Sequence, residues 1–246
     1  MKIVIGLGTG RCGTKSLHAL LNAQENSVCF HEANPACMSW QGAEHVVLSM
    51  LRNFNDTLLG EERKVEVDLT SCDKKLVIKR YLTLDKVEVV GDVASYYLPY
   101  VDMILERYNN VVFPCMVRDK KDVIKSFMRK VRLYGYRNVV KCIILKKKRS
   151  RNHWSDNDKY VEDIKWDKLH PSFGVDLELE EALSRYYDLY MDNLTSLASR
   201  YKEVKVFGID ELNSPEGRKS ILDFCGVERV NVNSIFHENS AIRSSD

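Results

Sequence analysis

Four glycines, Gly6, Gly8, Gly10 and Gly13, crowd the segment between a short apolar run (Ile3, Val4, Ile5) and a helical pattern that begins near Thr14. Glycine lets a backbone turn sharply and approach a ligand closely. A helix that starts just beyond presents unpaired N–H groups and the positive end of its dipole. Strand, glycine loop and helix together make a phosphate-binding device. Arg11, Thr14, Lys15 and Ser16, set among the glycines, add two cations and two hydroxyls suited to phosphate oxygens.

The spacing admits several phosphate ligands. Gly8-x-Gly10-x-x-Gly13 matches a dinucleotide fingerprint, and Glu32 falls about where a ribose-binding acid belongs, which reads as an NAD(P)-binding Rossmann-type oxidoreductase. A nucleotide-hydrolysing loop would need Lys directly after Gly13. Here Thr14 intervenes and Lys15 is displaced by one residue, a rotation of about 100° around the helix. A non-catalytic nucleotide-binding module of the same fold is a third reading.

A second grip on an anion lies in mid-chain. Arg118 ends the apolar run 111–117, and Ser126 follows eight residues later, about two helical turns into the next helix. Arginine offers a planar fork of donors to a phosphate, and the serine adds a hydroxyl.

The stretch Gly10, Arg11, Cys12, Gly13, Thr14, Lys15, Ser16 resembles the 5'-phosphosulfate loop of the P-loop sulfotransferases that use PAPS (3'-phosphoadenylyl sulfate). That loop typically reads Arg/Lys-Ser-Gly-Thr-Thr, so Arg11, Gly13 and Thr14 fit, while Cys12 and Lys15 replace the usual Ser and Thr. The Arg118 and Ser126 pair resembles the same family's 3'-phosphate site. His31 with Glu32, the segment 91–100, and residues 151–154 resemble features of a bacterial and phage-type subgroup.

The resemblance implies sulfuryl transfer from PAPS, leaving PAP, with no metal required. The acceptor would be a hydroxyl or amine of a small molecule, carbohydrate, lipid or peptide. It implies Arg11 as the residue that stabilises the leaving 5'-phosphate. The backbone N–H groups from Gly10 to Lys15, with the Thr14 and Ser16 hydroxyls, would hold the phosphate oxygens. Arg118 and Ser126 would read the 3'-phosphate. The acceptor's base is His in cytosolic small-molecule enzymes of the family and Glu in heparan and tyrosyl-protein types. Both occur here, as His31 and Glu32. Neighbouring side chains on an extended segment point opposite ways, so one of the two faces the acceptor, and Glu32 is the expected one.

The elements that must position these residues read as alternating strands and helices. Strands are expected at 2–7, 28–30, 87–90, 111–117 and 204–207, with short strands at 65–69 and 76–79. Pro114 argues for an irregularity or a sheet edge. Helices are expected from Thr14, near 44–54, over 97–108, from Asp119 with Val123, Ile124, Phe127, Met128 and Val131 on one face, through 179–201, and from Ser214 and Pro215 to a stop at Gly226. Asp119 can cap its helix, with Asp122 as the second half of a capping box. The sum is an α/β fold: an open, mainly parallel sheet flanked by helices, P-loop sulfotransferase-like, with ligands beyond the carboxyl ends of the strands. Residues 1–246 read as a single domain, with irregular acceptor-covering regions at about 35–80 and 135–175.

Several features have competing plain readings. Asp92 either orients the acceptor or caps a turn. His153 and Trp154 either line the acceptor pocket or sit on a surface loop. Cys12 is either a redox handle or a small stand-in for serine. The basic run 146–149 either attracts anions or is a solvated face. Tyr186, Tyr190 and Tyr201 read as core packing.

Composition sets outer limits. The 246 residues are 44% hydrophobic and 29% charged with a net charge of +2, so nothing global demands nucleic acid or a membrane surface. Seven irregularly spaced cysteines, with no C-x-x-C pair, suggest reduced thiols and a cytoplasmic setting. The first apolar run is too short for a signal peptide, and no stretch reaches the roughly 20 apolar residues needed to span a bilayer.

Overall fold

The computed structural model describes residues 1–61, 63, 64, 67, 72–130, 170, 171 and 177–232. Its centre is a five-stranded, all-parallel sheet of β1 (Lys2–Gly6), β2 (Ser27–His31), β3 (Val89–Val93), β4 (Val111–Val117) and β5 (Val204–Gly208), in the order β2-β3-β1-β4-β5. The helices are α1 (Thr14–Asn22), α2 (Glu44–Leu58), α3 (Cys72–Thr83), α4 (Val101–Arg107), α5 (120–130), α6 (Leu179–Arg200) and α7 (Pro215–Phe224).

Alternation along the strands assigns each residue to one of two buried faces. Ile3, Ile5, Val28, Phe30, Val90, Val111 and Phe113 point into a core closed by α2, α3, α4 and the middle of α6, through Val47, Leu51, Val77, Tyr81, Ile104 and Tyr190. Val4, Cys29, Val89, Val93, Val112 and Met116 point the other way, onto Leu17 and Leu20 of α1, Val123 and Phe127 of α5, and Ile221 and Leu222 of α7. The result is three layers, helix on sheet on helix.

Several expectations need correction. Residues 76–79 are not a strand: they lie within α3, where Val77 and Tyr81, one turn apart, are buried and Leu76 is 70% exposed. Three apolar residues followed by Lys79 looked like a strand, but only one helical face of the segment meets the core. The third strand runs two to three residues later than expected, so Asp92 lies inside it rather than after its end. The helix expected at 97–108 begins as a 3-10 turn at Ser95–Tyr100, containing Pro99, and becomes α-helical only at Val101. The region 35–80 holds two regular helices, α2 and α3.

Pro114 sits in an interior strand, between β1 and β5, and not at an edge. Met116, of the same parity, donates its N–H to Leu7 O on the β1 side, so the missing N–H of Pro114 also faces β1. The β1–β4 ladder accordingly pairs Ile3 with Val111 and Val4 with Val112, lapses, and resumes as a lone bridge between Leu7 and Cys115.

The strand order also separates β2 from β1, because β3 lies between them. Dinucleotide-binding sheets run 3-2-1-4-5-6 and set β2 beside β1. Here β3 stands between β1 and β2, so the strand order that the ribose-acid reading of Glu32 requires is not met. The segment 65–69 (apart from Val67), Val131, residues 135–169, His153, Trp154 and the run 146–149 lie outside the described residues.

Candidate functional site

The site is built at the carboxyl ends of the strands. The loop after β1 carries two kinds of requirement. A Cβ on Gly8 would lie 2.5 Å from Cys12 Sγ and 2.9 Å from Met116 O, so only glycine lets the loop lie against β4. Gly13, at φ 102°, is the N-cap of α1 and brings no side chain to cap it. The first N–H groups of α1 have no partner within the helix, no side chain caps them, and the first turn holds no acid. That end of α1 is therefore left electropositive, with donors aimed outward.

Two tyrosines of α6 hold the loop from below. Gly8 N–H donates to Tyr190 Oη at 2.9 Å, and the Tyr186 hydroxyl donates to Thr9 O at 3.3 Å. Burial raises both phenols, so they stay protonated. The stripe that reads from sequence as packing is also the loop's hydrogen-bonding support. Only the glycine loop's need for partners for its buried backbone groups hinted at this.

Arg11 and Glu32 are the two non-glycine residues with positive φ among the described residues, at 60° and 52°. Both occupy the left-handed region, which L-residues adopt at a cost of about 1–2 kcal/mol. Both are residues to which the sequence assigns chemistry.

The mid-chain element closes onto the loop. Arg11 Nε donates to Ser126 Oγ at 3.0 Å across 115 residues of sequence. Asp119 caps α5 as expected, its Oδ1 accepting the Asp122 N–H at 3.2 Å. Asp122 does not complete a capping box. Its carboxylate instead takes the guanidinium of Arg118 at 3.2 Å. Arg118 is further tied to α6, its carbonyl accepting the Tyr187 hydroxyl at 2.8 Å.

Along α5, Asp122, Ser126 and Lys130 fall at successive four-residue steps on one stripe, spanning about 12 Å of helix. Lys130 was not singled out by the sequence, although its place four residues after Ser126 was a usable signal. Burial lowers its pKa first, then the neighbouring positive charges of Arg11 and Lys15, against the opposing charge of Glu32. These effects place Lys130 among Arg11, Lys15 and Glu32.

Glu32, at φ 52°, has left the extended backbone on which neighbouring side chains would alternate. The His31 ring turns towards α1, with Nε2 3.4 Å from Thr14 Oγ1 and its ring 5.8 Å from that of His18. Glu32 is exposed. Cys12 is 1% exposed and its thiol is pushed up by burial, which makes it a small core residue beneath the loop and not a redox handle. Asp92 is fully buried, which removes it from the surface an acceptor meets, and its Oδ2 accepts the Ala33 N–H at 3.0 Å.

A cavity of about 690 Å³ opens elsewhere, between residues 39–41, the Pro99 turn and α6, with Trp40, Asn193 and Arg200 in its wall. Arg11, Glu32, Arg118 and Ser126 do not line it. Among the described residues, no helix is long and apolar enough to cross a membrane, and no three His, Cys, Asp or Glu side chains gather as a metal would require.

No curated protein matches this chain. A family model described as "sulfotransferase domain" matches residues 3–232, a span that runs from β1 past the end of α7. The chain belongs to the sulfotransferase domain family, and its chemistry is the transfer of a sulfuryl group.

Proposed function

We propose that this sulfotransferase uses PAPS as donor and a hydroxyl or amine as acceptor. The observation that carries the reading is the 3.0 Å bond between Arg11 and Ser126. It joins the β1 loop to the helix that begins beside Arg118, so one nucleotide with phosphates at its 5' and 3' positions can be gripped by both.

The open N–H groups at the start of α1, with Arg11, Lys15 and Lys130 around them, suit the 5'-phosphosulfate. Arg118, just before α5 and about two turns ahead of Ser126, suits the 3'-phosphate. Its present partner, Asp122, is half-exposed, so exchanging it for a phosphate costs little.

PAPS supplies an activated sulfuryl group whose bond to the 5'-phosphate breaks as the acceptor's bond to sulfur forms. The protein's part is positioning and charge stabilisation, as in phosphoryl transfer. Arg11 offsets the negative charge that grows on the departing phosphate. Its backbone is left-handed, and the bond from its Nε to Ser126 helps fix the guanidinium's orientation. Glu32, exposed at the end of β2, takes the proton from the acceptor. His31, held against Thr14, stays out of that step.

A thermal-shift comparison of PAP, ADP, Mg-ATP and NADP tests the donor. A ligand at about 100 times its dissociation constant adds about 2.7 kcal/mol, or roughly 5–10 °C at this chain length. Stabilisation by PAP well beyond ADP supports the reading. A response to NADP alone ends it.

A further inference from the structure

Asp92 is a buried acid with no part in the chemistry described so far. It lies inside β3, in register with Phe30 of β2, and is 0% exposed. Its Oδ2 accepts three hydrogen bonds: from the Ala33 N–H at 3.0 Å, from the Tyr97 hydroxyl at 2.7 Å and from the Tyr96 hydroxyl at 3.4 Å. Oδ1 is buried without a partner. A carboxylate in a sheet core is costly to retain, and a carboxamide or an apolar residue would fill the space. What Asp92 does there is capture one particular amide.

That amide belongs to the residue after Glu32. The chain leaves β2 at His31, and the Glu32 N–H makes the last ladder bond, to Val93 O at 3.1 Å. Glu32 then adopts φ 52°, and the next N–H, of Ala33, goes to Asp92. Two consecutive amides are thus fixed by two consecutive residues of β3, one through main chain and one through a carboxylate. A left-handed glutamate persists only where its surroundings hold it so, and the Asp92 bond supplies that hold. Tyr97, which also reaches Met50 Sδ at 2.9 Å, and Tyr96, ring to ring with it at 4.7 Å, keep the carboxylate in place.

We propose that Asp92 is a positioning residue that, through the Ala33 amide, locks the left-handed turn at Glu32 and so sets where the Glu32 carboxylate stands. The inference rests on the reading of Glu32 as the acceptor's base. The two are tested on different variants.

The test uses the full chain. Amide hydrogen exchange at Ala33 is followed in wild type, Asp92→Ala, Asp92→Asn and Glu32→Gln, with PAP binding and exchange at Gly10–Lys15 as controls. PAPS consumption is measured against a panel of hydroxyl and amine acceptors. In Asp92→Ala, protection at Ala33 falls tenfold or more and turnover falls with it, while PAP affinity and the Gly10–Lys15 amides stay within twofold. Asp92→Asn, which keeps an acceptor oxygen, restores both. Should Asp92→Ala not fold, Tyr97→Phe loosens the same carboxylate and lowers Ala33 protection by a smaller factor. Unchanged Ala33 protection in these variants overturns the proposal. So does Ala33 release with turnover intact, and so does an equal loss of PAP affinity, which would make Asp92 a part of the sheet's general stability. Glu32→Gln leaves Ala33 protection as it is. If that variant keeps its turnover, the base reading fails while the turn lock is still decided by the Asp92 variants.

Discussion

Arg11 and Ser126 stand 115 residues apart in the chain, yet Arg11 Nε donates to Ser126 Oγ at 3.0 Å. The bond makes one site of two elements that grow from adjacent strands, β1 and β4. It also couples the residue proposed to act on the departing phosphate to the helix proposed to read the other phosphate. Removing Ser126 therefore has a definite consequence. Ser126→Ala removes the Nε bond that helps hold Arg11 and weakens PAP binding by roughly threefold to tenfold, the worth of one such hydrogen bond. Calorimetric titration with PAP checks this, and unchanged affinity contradicts it.

Arg11 itself is expected to act on rate. Arg11→Ala lowers kcat by about 10²–10³, the usual cost of one stabilising donor at a developing charge. Arg11→Lys recovers part of the loss, because an ammonium restores the charge but not the fork held by Ser126. Steady-state kinetics with an identified acceptor separates the two variants. Equal rates for Arg11→Ala and wild type would remove Arg11 from the mechanism.

Tyr190 is expected to matter for stability. Tyr190→Phe keeps the ring in its core but strands the buried Gly8 N–H, at a cost of about 1–3 kcal/mol. For this length of chain the melting temperature drops by about 2–4 °C per kcal/mol. Differential scanning calorimetry reads the shift, and a melting temperature equal to that of wild type contradicts the bond's role.

Asp92 gives stability a pH dependence. Burial raises its carboxyl from the ordinary 3.8 to about 6, while the bonds from Tyr97 and Ala33 oppose the rise. Between about pH 4 and pH 6 the folded protein then holds this proton more tightly than the unfolded chain does. Stability falls as pH climbs through that window and the loss is constant above it. The span amounts to about 3 kcal/mol. Urea unfolding of wild type and Asp92→Asn from pH 4 to pH 7 isolates the contribution, because the variant lacks it. A difference between the two that does not change with pH rules out the elevated carboxyl.

Much of this site was legible in the sequence because its parts are local. The glycines at 8, 10 and 13 announce a close backbone approach, and the Arg118 to Ser126 spacing carries its own helix geometry. The five strands of the sheet were visible as apolar runs. The order of the strands was not, since nothing local tells β3 to insert between β1 and β2. Residues 76–79 misled because four apolar or long side chains fit either period, and only the burial of Val77 and Tyr81 decides. Lys130 was passed over although its place four residues after Ser126 was a usable signal, whereas Tyr186 and Tyr190 read as core packing because their bonds to the loop span 177 and 182 residues, where sequence spacing carries no signal.

The dissociation constants of PAP and AMP, which differ only in the 3'-phosphate, measure what Arg118 and Ser126 are for. Wild type is expected to prefer PAP by about a hundredfold or more, given one charge-assisted fork and one hydroxyl. Arg118→Ala should reduce that preference at least tenfold while AMP affinity holds. Equal affinity of wild type for PAP and AMP would contradict the two-ended grip on which the donor assignment stands.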